Sequence, residues 1–156
     1  MTPAIRAAEA AGVPHQVVEY AHDPRARSYG LEAAQATGQP PERVLKTLLA
    51  RLDDGRLVVA VVPVAMRLDL KALASAAGAK RAVMAEPRDA ERATGYVVGG
   101  ISPLGQKRRL PTLIDTSAEA HDRIFVSAGR RGLEIALAPA DLRALTEGRF
   151  AAIARD

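Results

Sequence analysis

Residues 43–63 read RVLKTLLARLDDGRLVVAVVP, two apolar segments separated by a turn sequence. The first segment mixes apolar and polar residues, so its period alone does not distinguish a helix from a strand. The turn Asp53-Asp54-Gly55, followed by the apolar run at 57–62, is typical of a β-hairpin. We therefore predict two antiparallel strands here, with Lys46 on the first of them.

The rest of the chain alternates between helix and strand signals. Capping residues, early prolines and terminal glycines predict helices at 2–12, 30–38, 68–78, 86–95 and 139–148. Apolar or alternating segments predict strands at 15–20, 96–100, 110–116, 123–129 and 132–139. Many strands with interspersed helices indicate an α+β domain around a mixed sheet. The length of 156 residues suits one domain.

Composition excludes several classes of protein. The chain has 48% hydrophobic and 26% charged residues, as a globular domain does, and it contains no cysteine. Disulfides, a thiolate nucleophile and cysteine-ligated zinc are therefore excluded. His15, His22 and His121 are scattered along the chain, so we expect neither a metal nor a cofactor. No apolar run has membrane-spanning length and no signal-peptide pattern is present, so we expect a cytoplasmic protein.

Residues 95–111, GYVVGGISPLGQKRRLP, form what we call the glycine loop. Inside a strand, Gly99 and Gly100 would each cost about 0.5–1 kcal/mol, so this segment needs positive φ angles or close approach of another group. Pro103 stiffens it. Free N–H groups on such a loop can hold an anion or a carbonyl oxygen. The alternative is a β-bulge with a tight turn.

The glycine loop fits neither the phosphate-loop pattern nor the dinucleotide pattern. The chain also lacks a Gly-x-Ser-x-Gly elbow. Ser102 precedes a proline and Ser127 lies in VSAGRRG, neither with an obvious base. The sequence therefore shows no protein nucleophile.

Two basic clusters each follow a glycine-bearing turn, Lys107-Arg108-Arg109 and Arg130-Arg131. They are either solvated charges on hairpin tips or phosphate contacts from two neighbouring loops. The formal net charge of +4 is compatible with a local basic patch.

Four segments together resemble the YbaK family: RVLKTLL at 43–49, VPVAMRLDLKALASAAGAK at 62–80, TGYVVGGISPLGQKRRLPTLID at 94–115 and VSAGRRGLEIAL at 126–137. Its members are bacterial deacylases that hydrolyse cysteine mischarged onto proline tRNA, related to the editing domain inserted in prolyl-tRNA synthetases. The resemblance implies one domain over residues 1–156, with a mixed, mostly antiparallel sheet or an open barrel flanked by helices. It also implies a pocket for the aminoacylated 3′ end of tRNA, and we expect prolyl-tRNA synthetase as a partner.

The resemblance assigns roles to individual residues. Lys46 would hold the phosphate of the terminal adenosine or stabilise developing negative charge, and backbone N–H groups of the glycine loop would polarise the ester carbonyl. The catalytic set is then Lys46, Gly99, Gly100, Ile101 and Ser102. The substrate-binding set is Tyr20, His22, Thr47, Pro103, Ser127, Gly129 and Glu134. Acceptor-stem phosphates would be bound by Lys107, Arg108, Arg109, Arg130 and Arg131. Glu134 stands where relatives carry aspartate, which keeps the charge with one more methylene.

The missing nucleophile agrees with the reaction that the family implies. The substrate's own cysteine thiolate attacks its ester carbonyl and expels the tRNA hydroxyl, leaving a cyclic thioester. Intramolecular attack has effective molarities of roughly 10⁵–10⁸ M, enough to replace a protein nucleophile. Three alternatives stay open: a deacylase for another small amino acid such as alanine, a non-catalytic tRNA- or synthetase-binding module, and a structural domain whose glycine loop is only a bulge.

Overall fold

The computed structural model describes residues 1–26 and 28–156. Five α-helices in this part of the chain are α1 Pro3–Ala11, α2 Tyr29–Thr37, α3 Leu70–Ala76, α4 Pro87–Thr94 and α5 Pro139–Thr146. A 3₁₀ helix spans Thr116–Ala120. The strands are β1 His15–Glu19, β2 Leu45–Leu52, β3 Leu57–Pro63, β4 Arg67–Leu68, β5 Ala82–Met84, β6 Thr112–Asp115, β7 Ile124–Arg130, β8 Leu133–Leu137, β9 Arg149–Ala151 and β10 Ala154–Arg155.

The predicted hairpin at 43–63 is confirmed and forms the centre of the largest sheet. Strands β2 and β3 pair antiparallel, with Leu45 opposite Pro63 and Arg51 opposite Leu57. The five strands of this sheet lie in the order β5-β2-β3-β6-β9, and the pairs β3–β6 and β6–β9 are parallel. Every residue of β3 is buried, as expected for a strand covered on both faces.

A second sheet, in the order β1-β8-β7, is antiparallel throughout, and β4 pairs with β10. The Phe125 N–H donates to the Arg43 carbonyl at 3.0 Å, which joins β7 to the segment that enters β2. The α+β class and the mostly antiparallel, mixed sheet are thereby confirmed. The sheets do not close on one another into a barrel.

The cap signals placed the ends of α1 and α2 well, whereas α3 and α5 end before their predicted glycines, with Ala77 and Glu147 as C-caps. Thr2 Oγ1 accepts from the Ile5 N–H at 3.2 Å, and Ser28 and Asp69 cap α2 and α3 in the same way. Gly12 ends α1 in a left-handed conformation, which lacks the Cβ penalty other residues meet there. No helix in the described ranges has the length and apolar character that crossing a membrane requires.

The strand predicted at 96–100 is wrong. Tyr96 is buried and donates from its hydroxyl to the Leu104 carbonyl at 2.7 Å, so it fixes a loop instead of joining a sheet. The Gly100 N–H turns back to the Val97 carbonyl at 2.8 Å. Because this segment pairs with no strand in the described part of the chain, the bulge explanation for its glycines fails as well. The apolar pair Val97-Val98 is exposed, which strand patterning from sequence could not reveal.

Candidate active site

A pocket of about 340 Å³ lies between the first half of β2, the start of α2, the start of α4 and the glycine loop. This volume falls in the range of small-molecule sites. Seven of the predicted site residues line it: Tyr20, Lys46, Thr47, Gly99, Ile101, Ser127 and Glu134. The structure therefore brings together residues from five separate parts of the sequence.

Lys46 lies on β2, opposite Val62 of β3, and its side chain is half-buried in the pocket wall. Desolvation by burial lowers the pKa of its ammonium group. In the described ranges no carboxylate lies within ion-pair distance of it. The pocket thus contains a cation without an internal counter-ion, which favours a ligand that is negative or becomes so.

Glu134 is the buried acid of the pocket. It lies on β8, between Val18 of β1 and Ser127 of β7, and is only 5% exposed. Burial raises the pKa of its carboxyl group from 4.5 to about 8. At neutral pH the group is therefore mostly protonated and can donate a hydrogen bond.

Tyr20 and His22 follow β1, but only Tyr20 lines the pocket. Burial raises the pKa of the Tyr20 hydroxyl, and the negative charges of Glu134 and Glu32 raise it further. A hydrogen bond with the Gly132 backbone has the opposite effect and lowers this pKa. His22 instead contacts Glu32 Oε1 through Nδ1 at 2.7 Å, and its ring centre lies 5.9 Å from that of Tyr29. His22 therefore packs near Tyr29, which lines the pocket, and does not line the pocket itself.

Two hydroxyl groups in the pocket differ in their partners. Thr47 Oγ1 is buried and has no hydrogen-bond partner among the described residues, so it is available to a ligand. Ser127 Oγ donates to the Gly100 carbonyl at 3.1 Å and accepts from the Gly129 N–H at 3.2 Å. Ser127 thus connects β7 to the glycine loop.

The two central glycines of the loop are required for different reasons. Gly99 has φ +92°, and a Cβ there would lie 2.4 Å from Arg131 Nε and 2.7 Å from the Tyr29 ring. Gly100 has an ordinary φ, but a Cβ on it would lie 2.7 Å from the Cα of Arg130. Real Cβ contacts do not reach such distances, so the loop packs against the β7–β8 turn only because both residues lack a side chain.

The loop's N–H groups are unequal as donors. The Gly100 N–H already donates to the Val97 carbonyl. It is therefore not available to a ligand, contrary to the expectation from the sequence. Within the described ranges, the N–H groups of Gly99 and Ile101 have no hydrogen-bond acceptor, and both residues line the pocket.

Ser102, Pro103 and Gly129 lie behind the pocket wall. Ser102 is fully buried, and its Oγ accepts from the Leu104 N–H at 3.2 Å, inside the loop itself. Pro103 is buried beside it. Gly129 has φ +112°, and a Cβ there would meet the Tyr96 ring at 2.8 Å. These contacts give the three residues places in the packing of the loop.

The predicted phosphate-binding residues divide into two groups. Lys107 and Arg108 are exposed, and no carboxylate in the described part of the chain pairs with them. Arg109 and Arg130 are exposed but lie 3.6 Å from the carboxylates of Glu147 and Glu19.

The sequence predicted that Arg131 binds a phosphate, but in the structure its guanidinium group contacts other parts of the protein. Its guanidinium carbon lies 4.0 Å from the centre of the Tyr29 ring, and Nη2 donates to the Val98 carbonyl at 2.8 Å. It therefore fastens the glycine loop to α2.

Sequence reasoning missed several pocket residues, chief among them Tyr29, Met84, Pro87 and Val98. Tyr29 directly follows the helix cap Ser28, and an aromatic residue at that position was the one available signal. Met84 and Val98 are 48% and 36% exposed and form an apolar rim. In residues 1–26 and 28–156, no group of three His, Asp or Glu side chains is arranged to hold a metal ion.

Comparisons with known proteins give consistent matches. A family model described as an aminoacyl-tRNA editing domain matches residues 23–145. A protein of Enterococcus faecalis, EbsC, whose name assigns it as a Cys-tRNA(Pro)/Cys-tRNA(Cys) deacylase, is 40% identical over 152 residues, or 97% of this chain and 92% of that protein.

Solved structures agree. One described as a trans-editing enzyme for prolyl-tRNA synthetase superposes with a TM-score of 0.85 at 26% identity, over 100% of this chain and 99% of that one. The hypothetical protein APE2540 has the same fold, with a TM-score of 0.87 at 22% identity, over 98% of this chain and 99% of that chain.

Proposed function

The chain belongs to the aminoacyl-tRNA editing domain family, and on that premise we propose that it deacylates mischarged Cys-tRNA(Pro), with Cys-tRNA(Cys) as a second substrate. The reaction is the hydrolysis of a carboxylic ester. We take residues 1–156 as one deacylase domain that acts in the cytoplasm. The observation that carries the proposal is the pocket that joins Lys46, Glu134 and the glycine loop.

The bond changes need no nucleophile from the protein. The substrate's thiol loses its proton, and the sulfur forms a bond to the ester carbonyl carbon. The bond from that carbon to the terminal ribose oxygen breaks, and the oxygen leaves as a hydroxyl after taking up a proton. Water then opens the cyclic thioester to give free cysteine. The protein's part is to fix the reactive conformer and to stabilise charge on the carbonyl oxygen.

The glycine loop supplies donors for that oxygen. Gly99 and Ile101 line the pocket, and their N–H groups have no internal acceptors in the described ranges. The close packing of Gly99 against Tyr29 and Arg131 supports rigid placement of these donors. Preorganised donors of this kind stabilise an oxyanion without reorganising during the reaction.

Lys46 adds positive charge to the part of the pocket wall that β2 forms. Because it lacks an internal carboxylate partner in the described residues, its ammonium group can stabilise negative charge that develops in the reaction. We assign it this role in preference to holding a phosphate, since it lies half-buried in the wall and the exposed cations lie elsewhere.

Glu134 is suited to exchange the thiol proton. A cysteine thiol ordinarily has a pKa near 8.5, and burial raises the pKa of Glu134 to about 8. Two groups of similar pKa can pass a proton at small free-energy difference. Thr47 Oγ1, buried and without a partner in the described residues, would accept from the substrate's amino group.

Selection of proline tRNA requires a partner. A chain of 156 residues has little surface with which to reach both the 3′ end and the anticodon of a tRNA. The solved structure described as a trans-editing enzyme for prolyl-tRNA synthetase suggests which synthetase delivers the substrate. We therefore propose prolyl-tRNA synthetase as the partner.

The test is a deacylation panel on proline tRNA charged with cysteine, S-methylcysteine, serine or alanine. We expect fast hydrolysis of the cysteinyl ester alone, because only it carries a free thiol. S-Methylcysteine is the sharpest control, since it keeps the sulfur and blocks its attack. Equal rates for serine and cysteine would exclude thiol assistance. Preference for alanine would favour the other deacylase, and tRNA binding with no hydrolysis would favour the binding module.

A further inference from the structure

A second cavity, of about 300 Å³, lies on the far side of α4 from the candidate active site. Its charged lining consists of one aspartate, Asp89, and four arginines: Arg51, Arg56, Arg92 and Arg108. We name it the arginine cleft. We propose that it binds backbone phosphates of the same tRNA strand whose 3′ end enters the pocket. This inference rests on the proposed function.

Two of the arginines are held in place by the protein. Arg51 donates from Nη1 to the Gly55 carbonyl at 2.9 Å and from Nη2 to Asp89 Oδ2 at 3.3 Å. Arg56 donates from Nε to Asp54 Oδ2 at 2.9 Å and from Nη2 to the Ala77 carbonyl at 2.9 Å. Each guanidinium has five N–H donors, so both keep donors for a ligand. Their positions are set before any ligand arrives.

The other two arginines carry uncompensated charge. Arg92 and Arg108 are exposed, and no carboxylate in the described part of the chain lies within 4.0 Å of either. The Arg108 N–H donates to the Ala93 carbonyl at 3.1 Å, which anchors this residue to the end of α4. An unpaired, planar guanidinium is well matched to a phosphate group.

Helix α4 lies between the cleft and the candidate active site and lines both. Pro87 and Ala90 line the pocket, whereas Asp89, Arg92 and Ala93 line the cleft. A helix with its side chains is roughly 10–12 Å wide, so the two cavities lie about that far apart. A nucleic-acid strand that leaves the pocket across α4 would therefore place its next phosphates over the arginines.

Three of the basic residues predicted to contact phosphate are weaker candidates for the same task. Arg109 and Arg130 have carboxylates near them, and Arg131 is stacked on Tyr29. The sequence predicted phosphate contacts from both basic clusters, and we now place these contacts around Arg108. Arg51, Arg56 and Arg92 had not been singled out from the sequence, because they lie far from Arg108 along the chain.

The test measures binding of uncharged tRNA over a range of salt concentrations, so it does not depend on hydrolysis. The double variant Arg92→Gln/Arg108→Gln removes the two unpaired charges. If each contacts one phosphate of a single strand, the log–log salt slope becomes shallower by about 1.4, with weaker binding at low salt. The control Arg67→Gln/Lys71→Gln removes two exposed charges on β4 and α3, outside the cleft.

An unchanged slope and affinity in the Arg92/Arg108 variant, with circular dichroism showing an intact fold, would overturn the proposal. So would an equal loss in the control variant, which would indicate only a general charge effect. A titration with inorganic phosphate alone completes the test. Tight phosphate binding that the variant abolishes, with tRNA affinity unchanged, would define a small-anion site and contradict the inference. If wild type binds tRNA with the expected slope but does not deacylate it, the proposed function fails and the cleft assignment stands.

Discussion

Ser127 donates a hydrogen bond from Oγ to the carbonyl oxygen of Gly100 at 3.1 Å, and so ties strand β7 to the glycine loop. The same hydroxyl accepts from the Gly129 N–H at 3.2 Å, at the register shift of β7. Ser127 is paired with Glu134 across the sheet. Ser127 therefore connects the glycine loop to the irregularity of β7 and lies opposite the buried acid in the sheet.

Replacing Ser127 by alanine should lower stability by about 1 kcal/mol, because it leaves one carbonyl and one N–H without their partner. Since the glycine loop loses an anchor, we also expect the kcat for deacylation to fall. Thermal unfolding and single-turnover kinetics measure the two effects. Ser75→Ala, at an exposed position on α3, is the matched control. An unaltered kcat in the Ser127 variant would show that the hydrogen bond does not position the loop.

Gly99→Ala tests the close packing of the loop directly. The new Cβ would combine a φ of +92° with contacts of 2.4 Å to Arg131 and 2.7 Å to Tyr29. Gly55→Ala is an unusually close control, because Gly55 has φ +93° and open space around the Cβ position. We expect Gly55→Ala to cost about 1–2 kcal/mol from backbone strain alone.

Gly99→Ala should be more destabilising than that and should also reduce deacylation, as measured by chemical denaturation and by initial rates. Equal losses of stability in the two variants would mean that Tyr29 and Arg131 move aside freely. In that case the loop would not be held rigidly by their contacts.

The sequence predicted the elements better than the site. Caps and glycines are local signals, which is why the ends of α1 and α2 were found. Segment 96–100 was misassigned because its apolar run resembles a strand, while its actual partners are Leu104 and the distant turn at Arg130. Contacts of that range are not encoded in any local pattern.

The family resemblance predicted that Lys46 and Glu134 belong to one site, and both line the pocket. Periodicity and spacing could not have predicted this. It did not reveal that Arg131 stacks on Tyr29, because that contact depends on how the β7–β8 turn meets α2. The arginine cleft shows the same limit: Arg51 and Arg108 come together only through the packing of α4 against the β2–β3 turn.

Lys46→Ala should decrease kcat by at least 100-fold with a smaller change in KM, if the ammonium group stabilises developing charge. Loss of one strong electrostatic contact in a transition state typically has an effect of about 10²–10³. Lys46→Arg is the control that keeps the positive charge. Because burial lowers the pKa of Lys46, activity that depends on its cation should decline at a lower pH than for a free lysine. If Lys46→Ala instead raises KM and leaves kcat normal, Lys46 binds a phosphate of the substrate and does not stabilise developing charge.

Glu134→Gln should make stability less dependent on pH. Burial raises the pKa of Glu134 from 4.5 in the unfolded chain to about 8 in the folded one. The folded state therefore binds one proton more than the unfolded state between these values, and wild-type stability falls as pH rises through this window. Because glutamine cannot ionise, the stability of the variant should not show this decrease with rising pH.

The difference in unfolding free energy between wild type and Glu134→Gln should therefore change by at most about 5 kcal/mol between pH 4 and pH 9. At the alkaline end the glutamine variant should gain relative to wild type. Urea denaturation at several pH values measures the change, and Glu9→Gln on the exposed face of α1 controls for the loss of one carboxylate. A difference between wild type and Glu134→Gln that stays constant with pH would mean that the Glu134 carboxyl is solvated in the folded protein. The assignment of Glu134 as the group that exchanges a proton with the substrate's thiol would then fail with it.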